Sequence, residues 1–362
     1  MTLTPGARNA AFAFAVAIAL PFIGHNGAFT NFLADAGAFV LLALGLNIVV
    51  GFAGLLDLGY AAFFAIGSYA FAMLASPQFG IHLPFWVLLF VASGIAAVFG
   101  ILLGAPTLRL RGDYLAIVTL GFGEIVPQTF LNLSQFTGGP NGIGSLDQPV
   151  FFGLRFGFDV LPYYFLILAL IALAVWVANN LRQSRLGRAW MAIREDELAA
   201  AHMGINTTTT KLAAFAMGAS FSGLAGCAYA SKLQLVSPDQ FGFNVSVFIL
   251  AMLVLGGMGN IPGVILGSVL LSALDRFLLP QGTNLLHGFA HALPSGAFSN
   301  ALGRVDLTNS RFLIYGVILV LMMLFRPEGL IPSGQRKAEL HSADLDARAA
   351  AAEGELYSEA IR

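Results

Sequence analysis

The chain has 362 residues, of which 57% are hydrophobic and 10% are charged, and its mean hydropathy is +0.80. A soluble domain usually carries about 25% charged residues, so this composition excludes an ordinary soluble protein and predicts a polytopic membrane protein. The net charge of -1 suggests neither a nucleic-acid partner nor an acidic substrate. The single cysteine, Cys227, cannot form an internal disulfide and is interpreted as inert packing in an apolar run.

Long apolar runs recur along the chain. A spanning helix needs roughly 20 predominantly apolar residues, which predicts an all-α bundle of about ten transmembrane helices. The runs are 8–24, 31–50, 57–75, 84–105, 113–131, 160–180, 211–231, 245–257, 261–279 and 311–326. The first run could instead be a signal peptide, and the two runs between 245 and 279 could be two tilted spans or one broken helix.

The distribution of lysine and arginine predicts the orientation. With ten spans and the N-terminus inside, 13 of the 18 basic residues fall in inner segments and five in outer ones, as expected for cytoplasmic loops. Residues 181–210 are then cytoplasmic, and residues 132–159 and 280–310 face outward. Both termini are cytoplasmic in this arrangement, with a membrane domain at 1–332 and a solvated, charged tail without chemistry at 333–362.

Glycine clusters occur at two membrane-depth positions, 51–59 and 256–263, and both contain G-x-x-G. Irregular backbone at that depth is tolerated where it is buried in protein or lines a watery cavity, and half-helix ends there can face a polar substrate. We therefore predict that the clusters line a pathway. The alternative is that each glycine lets helices pack closely. The shared spacing also indicates a weak internal repeat of spans 2–5 and 7–10.

The fifth predicted span contains a carboxylate. Asp113 begins this helix, where negative charge suits the positive helix end, and Glu124 follows about 16 Å further along the axis. An ionisable side chain at such depth usually faces a cavity or a partner. Thr119 and Gly123 are four residues apart, so we predict that they and Glu124 line or gate a path. The alternative is that Glu124 only hydrogen-bonds an unwound helix end.

Two features lie in outward segments. The turn-rich residues 137–144 could meet a substrate-delivering partner or could be only a tight connection. His287 and His291 are four residues apart but have no third ligand, so we interpret them as surface histidines and predict no metal site.

Residues 184–206 form an amphipathic, charged segment between two apolar runs. Small residues and a glycine at a helix C-cap position end it, and a groove on a partner could hold such a helix while the charges set its register. The alternative, a helix lying on anionic lipid, is disfavoured by the mixed charge. The chain contains no G-x-x-x-x-G-K-[ST] motif. We predict that it is not an enzyme, and that active transport would draw on an ion gradient or on a separate ATPase.

These motifs resemble those of the LivM-type permease subunits of bacterial branched-chain amino-acid ABC importers, over roughly residues 30–332. The similar stretches are GLNIVVG and GLLDLGYAAFFAIG within 45–67, RGDY and TLGFGE within 111–124, TGG at 137–139, residues 184–204, GGMG at 256–259 and FRPEGL at 325–330. The chain departs from the family at Asp57 and Tyr60, where many relatives have Ser and His, and in its long 280–310 segment.

The resemblance implies a type II ABC importer permease fold with broken helices in the bacterial inner membrane, and no cofactor. It implies three kinds of partner beside the lipid: a second, LivH-like permease, two cytoplasmic ATPase subunits and a periplasmic substrate-binding protein. The substrate would be a branched-chain or other hydrophobic amino acid. Urea or a short amide is the alternative within the family, and a proton-coupled secondary transporter using Glu124, a passive channel and a membrane scaffold are alternatives outside it.

Each predicted role has its residues. The translocation pathway comprises Asn47, Gly51, Gly54, Asp57, Thr119, Gly123, Glu124, Gly256 and Gly259. The ATPase coupling residues are Arg188, Glu195, Glu197, Ala199, Ala200 and Gly204. The binding-protein contact comprises Thr137, Gly138, Gly139 and Asn141.

Overall fold

The computed structural model describes residues 5–23, 27–107, 113–151, 154–157, 159–292 and 306–331. The helices are α1 Pro5–Ile23, α2 Gly27–Leu46, α3 Tyr60–Leu74, α4 Phe85–Thr107, α5 Asp113–Asn132, α6 Ser134–Thr137, α7 Val160–Gln183, α8 Arg185–Glu195, α9 Glu197–His202, α10 Thr207–Leu233, α11 Phe243–Gly256, α12 Ile261–Ala273, α13 Leu279–Ala292 and α14 Arg311–Phe325. Helix dominates these residues, which confirms the predicted all-α class.

Short irregular elements connect the helices. Two π-helical turns cover Asn47–Phe52 and Leu274–Leu278, and two 3-10 turns cover Gly139–Asn141 and Pro238–Phe241. The strands are β1 Ile143–Gly144, β2 Val150–Phe151, β3 Leu154–Arg155 and β4 Leu235–Val236. β1 pairs antiparallel with β4, and β2 pairs antiparallel with β3.

Among the described residues, seven helical stretches have the length and apolar composition to cross a membrane. They are Gly27–Phe52, Phe85–Thr107, Tyr114–Asn132, Val160–Gln183, Thr207–Leu233, Pro238–Gly256 and Ile261–Phe289. Three shorter apolar helices, Ala13–Phe22, Tyr60–Leu74 and Arg311–Phe325, occupy the remaining predicted spans. The stretch from Ile261 is longer than predicted because the helix continues through the second π-helical turn instead of ending near residue 279.

Helix α10 forms the centre of the bundle, packed against α4, α3 and α2. Small residues on it allow this packing: a Cβ atom added to Gly223 would lie 2.7 Å from the Ala92 carbonyl oxygen, and one added to Gly67 would lie 2.4 Å from the Gly223 Cα. Helix backbones approach this closely only where side chains are minimal. Cys227 is fully buried in the same helix, as the packing interpretation requires.

The connections separate into two ends of the bundle. At the first end, α8 lies beside residues 47–54, and the backbone N–H of Leu330 donates to the carbonyl of Leu255. At the second end, β1 and β4 pair and His82 lies 2.6 Å from Asp147. Residues 184–206 and the described residues of 132–159 therefore lie at opposite ends of the bundle, as the predicted topology requires. The predicted tail at 333–362 lies outside the described residues, as do 108–112 and 293–305.

Candidate functional site

The first glycine cluster interrupts the helical backbone, as predicted. α2 passes into the π-helical turn 47–52, and residues 53–59 are not helical before α3 begins. Side chains from other helices satisfy the freed backbone groups. The hydroxyl of Thr119 accepts the N–H of Leu58 at 3.0 Å, and the hydroxyl of Ser246 accepts the N–H of Ala61 at 3.0 Å. We call residues 47–59 the break.

The break packs tightly against α5. A Cβ atom on Gly59 would lie 2.0 Å from the Thr119 carbonyl oxygen, and one on Gly123 would lie 2.8 Å from the Gly59 Cα. Neither position has space for a side chain. The predicted pathway residues Thr119 and Gly123 thus pack against the break from α5, and Thr119 is fully buried.

Asp57 lies inside the break and is almost fully buried. One of its carboxylate oxygens accepts the N–H of Gly59 at 2.9 Å. The other oxygen has no hydrogen-bond partner among the residues that the structure describes. Gly54, by contrast, is exposed and has a φ of +70°, a conformation that favours glycine.

The second glycine cluster is a turn between two helices, so the two-span alternative for 245–279 is the one observed. α11 ends at Gly256 and α12 begins at Ile261. The two helices run antiparallel in close contact: a Cβ on Gly256 would lie 2.3 Å from the Gly263 carbonyl oxygen, and one on Gly267 would lie 2.5 Å from the Met252 carbonyl oxygen. The glycines here permit close packing, which was the alternative interpretation.

The two clusters meet at Asn47. Its side-chain oxygen accepts the N–H of Gly259 at 2.8 Å, and a Cβ on Gly51 would lie 2.7 Å from the Gly259 nitrogen. Asn47, Gly51 and Gly259 are all buried. These predicted pathway residues form a packed junction inside the chain.

Glu124 is exposed on a different side of α5 from Thr119 and Gly123. Gln128 and Asn132 follow it at intervals of four residues and are exposed as well, so the three share one helix face. Nearer the start of α5 the exposed side chains are apolar, at Ile117 and Val118. A groove of about 470 Å³ lies along the polar part. It is lined by Glu124, Ile125, Gln128, Thr129, Asn132 and Leu133.

Capping and one buried aromatic side chain define the amphipathic segment as α8 and α9. Ser184 caps α8 by accepting the N–H of Gly187 at 3.1 Å, and Asp196 caps α9 by accepting the N–H groups of Leu198 and Ala199. Trp190 is fully buried, and its indole N–H donates to the Thr210 carbonyl at 2.7 Å. This contact fixes α8 against the start of α10.

The predicted coupling residues mostly face solvent. Arg188, Glu195, Ala199 and Gly204 are exposed, whereas Ala200 is buried. Glu197 is partly buried and forms an ion pair with Lys211 at 2.6 Å. Two large apolar side chains nearby are unusually exposed, Leu198 at 58% and Met203 at 83%. Exposed apolar side chains rimmed by charge are typical of a protein-binding surface.

Arg194 connects α8 to the break, a role that sequence reasoning missed. Its guanidinium Nη1 donates to the Gly51 carbonyl at 2.6 Å. Its side chain also covers Gly54, where an added Cβ would lie 2.7 Å from the Arg194 Cγ. Arg194 stands in a run of four charged residues, and nothing in the run distinguishes an arginine that turns inward.

The predicted binding-protein loop is compact. Thr137 is buried, and its hydroxyl donates to the Leu133 carbonyl at 2.9 Å. Gly139 is buried as well, whereas Pro140 and Asn141 are exposed. Gly138 has a φ of +73° and stands too close to Gly142 for a side chain. The side chain of His291 lies outside the described residues.

An ionic cluster near the second end was also not predicted. Asp35 on α2 pairs with Lys232 at the end of α10 and, at 3.1 Å, with Arg276 in the second π-helical turn. Asp35 and Lys232 are both buried within the chain. The cluster ties three distant segments together.

Comparisons with known proteins identify a family that matches most of the chain. A family model described as "Branched-chain amino acid transport system / permease component" matches residues 28–324. No solved structure matches the chain.

Two curated relatives are permease proteins named LivM of high-affinity branched-chain amino acid transport systems. The one from Salmonella typhimurium is 41% identical over 349 residues, covering 90% of this chain and 75% of the relative. The one from Escherichia coli is 40% identical over 347 residues with the same coverage. LivH of Salmonella typhimurium, a permease protein of the same system, is 26% identical over 313 residues, covering 81% of this chain and 91% of LivH.

Proposed function

The chain belongs to the family of permease components of branched-chain amino acid transport systems, and on that premise we propose that it is the transmembrane subunit of an ATP-driven importer of branched-chain or other hydrophobic amino acids. The observation that carries this proposal is the contact between Arg194 and the Gly51 carbonyl. It joins a solvent-facing helical segment, suited to a partner, to an interrupted helix inside the bundle.

The proposal places the first end of the bundle in the cytoplasm. Separate ATPase subunits bind α8 and α9 there, through the exposed Leu198 and Met203 and the surrounding charges. This orientation agrees with the excess of basic residues on that side and makes both termini cytoplasmic. A periplasmic binding protein then meets the second end, where Pro140 and Asn141 are accessible.

The exposed face of α5 supports a second permease subunit. A helix face that carries one carboxylate and two amide side chains is unfavourable against lipid tails. Such side chains almost always face a bundle interior or a water-filled cavity. A LivH-like partner that covers Glu124, Gln128 and Asn132 encloses the groove and makes it the wall of a shared pathway.

Coupling follows from the order of the contacts. Closure of the ATPases displaces α8, and Arg194 transmits the displacement to the break through Gly51. The break contacts α5 at Gly59 and Gly123, one residue from Glu124. The two access states then differ in the position of α5, and ATP binding shifts the population between them. Most of the predicted pathway residues form the buried contacts that connect α8 to α5, and Glu124 faces the path.

Reconstitution in liposomes tests the proposal. The chain is combined with the second permease, the ATPases and the binding protein, and uptake of L-leucine is measured. We expect uptake that requires ATP and all four kinds of subunit. Leucine uptake by the chain alone, or uptake driven by a proton gradient without ATPases, would favour a channel or a secondary transporter instead. Transport of urea in place of leucine would favour the urea alternative.

A further inference from the structure

We propose that Glu124 binds the ammonium group of the transported amino acid, an inference that rests on the proposed function. Glu124 is the only carboxylate between residues 114 and 132. Its side chain faces the groove, and no basic side chain of the described residues pairs with it. A carboxylate at membrane depth usually pairs with a partner or faces a water-filled cavity, and a cationic substrate in the groove supplies such a partner.

The groove suits a molecule that is both charged and apolar. Gln128 and Asn132 lie about 6 and 12 Å beyond Glu124 along α5, towards the second end. The Asn132 amide donates to the Gln128 carbonyl within the helix, so the Gln128 side chain is the nearer amide available to a substrate carboxylate. On the other side of Glu124 the exposed residues Ile117 and Val118 are apolar. An amino acid with a hydrocarbon side chain places its ammonium group at this boundary.

The location of Glu124 also connects binding to the coupling contacts. Gly123, its neighbour, packs against Gly59 in the break. Any shift of the break therefore moves the backbone beside the carboxylate. Binding at Glu124 in one access state and release in the other follow from the same displacement.

The test compares ligands that differ only in the ammonium group. The complex of both permeases and the ATPases, without the binding protein, is purified, and its affinities for L-leucine and for 4-methylpentanoate, the same molecule without its amine, are measured by calorimetry. We expect Glu124→Gln to weaken L-leucine binding about tenfold or more, as loss of a charged hydrogen bond does, and to change 4-methylpentanoate binding less than about twofold. Glu124→Asp, which keeps the charge, should restore part of the affinity.

Asp159→Asn is the matched control, because Asp159 is an exposed carboxylate at the start of α7 whose side chain caps nothing. It should bind both ligands as the wild type does. Unchanged leucine affinity in Glu124→Gln would overturn the inference, and so would an equal loss for both ligands. Loss of the second permease from the purified complex would also overturn it, because the partner's cation would then be what Glu124 pairs with.

ATP-driven leucine uptake by the wild-type system, measured with the same preparation, separates this inference from the proposed function. If the wild type takes up no leucine, the proposed function fails. If it takes up leucine and Glu124→Gln still distinguishes the two ligands as the wild type does, only the role of Glu124 fails.

Discussion

The two glycine clusters have the same G-x-x-G spacing but different structures. At 256–263 the glycines let α11 and α12 turn and pack against each other, and both helices stay regular up to the turn. At 51–59 the helix itself is interrupted. Thr119 accepts the free N–H of Leu58 there, and Ser246 accepts the N–H of Ala61 in the first turn of α3. Spacing therefore identifies close backbone contact, whereas the polar groups on neighbouring helices decide whether a segment can unwind.

The largest effect is expected at the tightest contact of the break. Gly59→Ala places a Cβ 2.0 Å from a backbone oxygen of α5. Overpacking costs about 1–3 kcal/mol, and we expect the upper end of that range because the opposing atom is backbone. Thermal unfolding of the purified chain in detergent should show a large loss of stability. Gly94→Ala, where a Cβ meets nothing within 4 Å, is the control. Equal stability of the two variants would mean that the break is loosely packed.

The next prediction tests whether the ATPases bind at α9, the surface from which their movement would reach the break. We expect Glu197→Lys to abolish ATPase binding and transport while membrane insertion stays intact, because it reverses a charge on the coupling surface. Co-purification of the ATPases and leucine uptake are measured. The ion pair with Lys211 offers a control: the double variant Glu197→Lys, Lys211→Glu restores that pair but not the surface charge. Recovery in the double variant would assign Glu197 to internal stability instead.

Arg194 on α8 contacts the first glycine cluster at Gly51, so a change at Arg194 tests the role of that cluster in coupling. Arg194→Gln should lower leucine uptake about tenfold while ATPase binding and basal ATP hydrolysis persist, because a charged hydrogen bond to Gly51 is lost. Arg185→Gln, an exposed change on the same helix, is the comparison. If both variants transport at the wild-type rate, the linkage through Gly51 does not carry the coupling.

The smallest effect is expected at Thr119. Thr119→Val removes the acceptor for the Leu58 N–H and leaves a partly buried donor unsatisfied, which costs about 1 kcal/mol. Thr119→Ser keeps the hydroxyl and should retain most of the stability. Chemical denaturation in detergent compares the two. A valine variant as stable as the serine variant would show that the break does not depend on this hydroxyl.

Hydropathy and glycine content predicted the helical spans, the interruption near residue 51 and the charged segment at 184–206, because these depend on local sequence. The contacts of Arg194 with Gly51 and of Asn47 with Gly259 join residues 143 and 212 positions apart, and no local pattern encodes such pairs. The sequence alone could have predicted which side of α5 carries Glu124. Neighbouring helical residues point about 100° apart, so Glu124 cannot share the face of Gly123.

The break also has a consequence for how the chain is made. The Leu58 N–H donates to Thr119 and the Gly51 carbonyl accepts from Arg194, and both partners are synthesised much later than residues 47–59. Unpaired peptide groups cannot remain exposed to lipid. During biosynthesis this segment must therefore stay in a hydrated, sheltered environment of the insertion machinery until the second half of the chain arrives. Truncation before residue 194 should consequently leave a product that quality-control proteases remove.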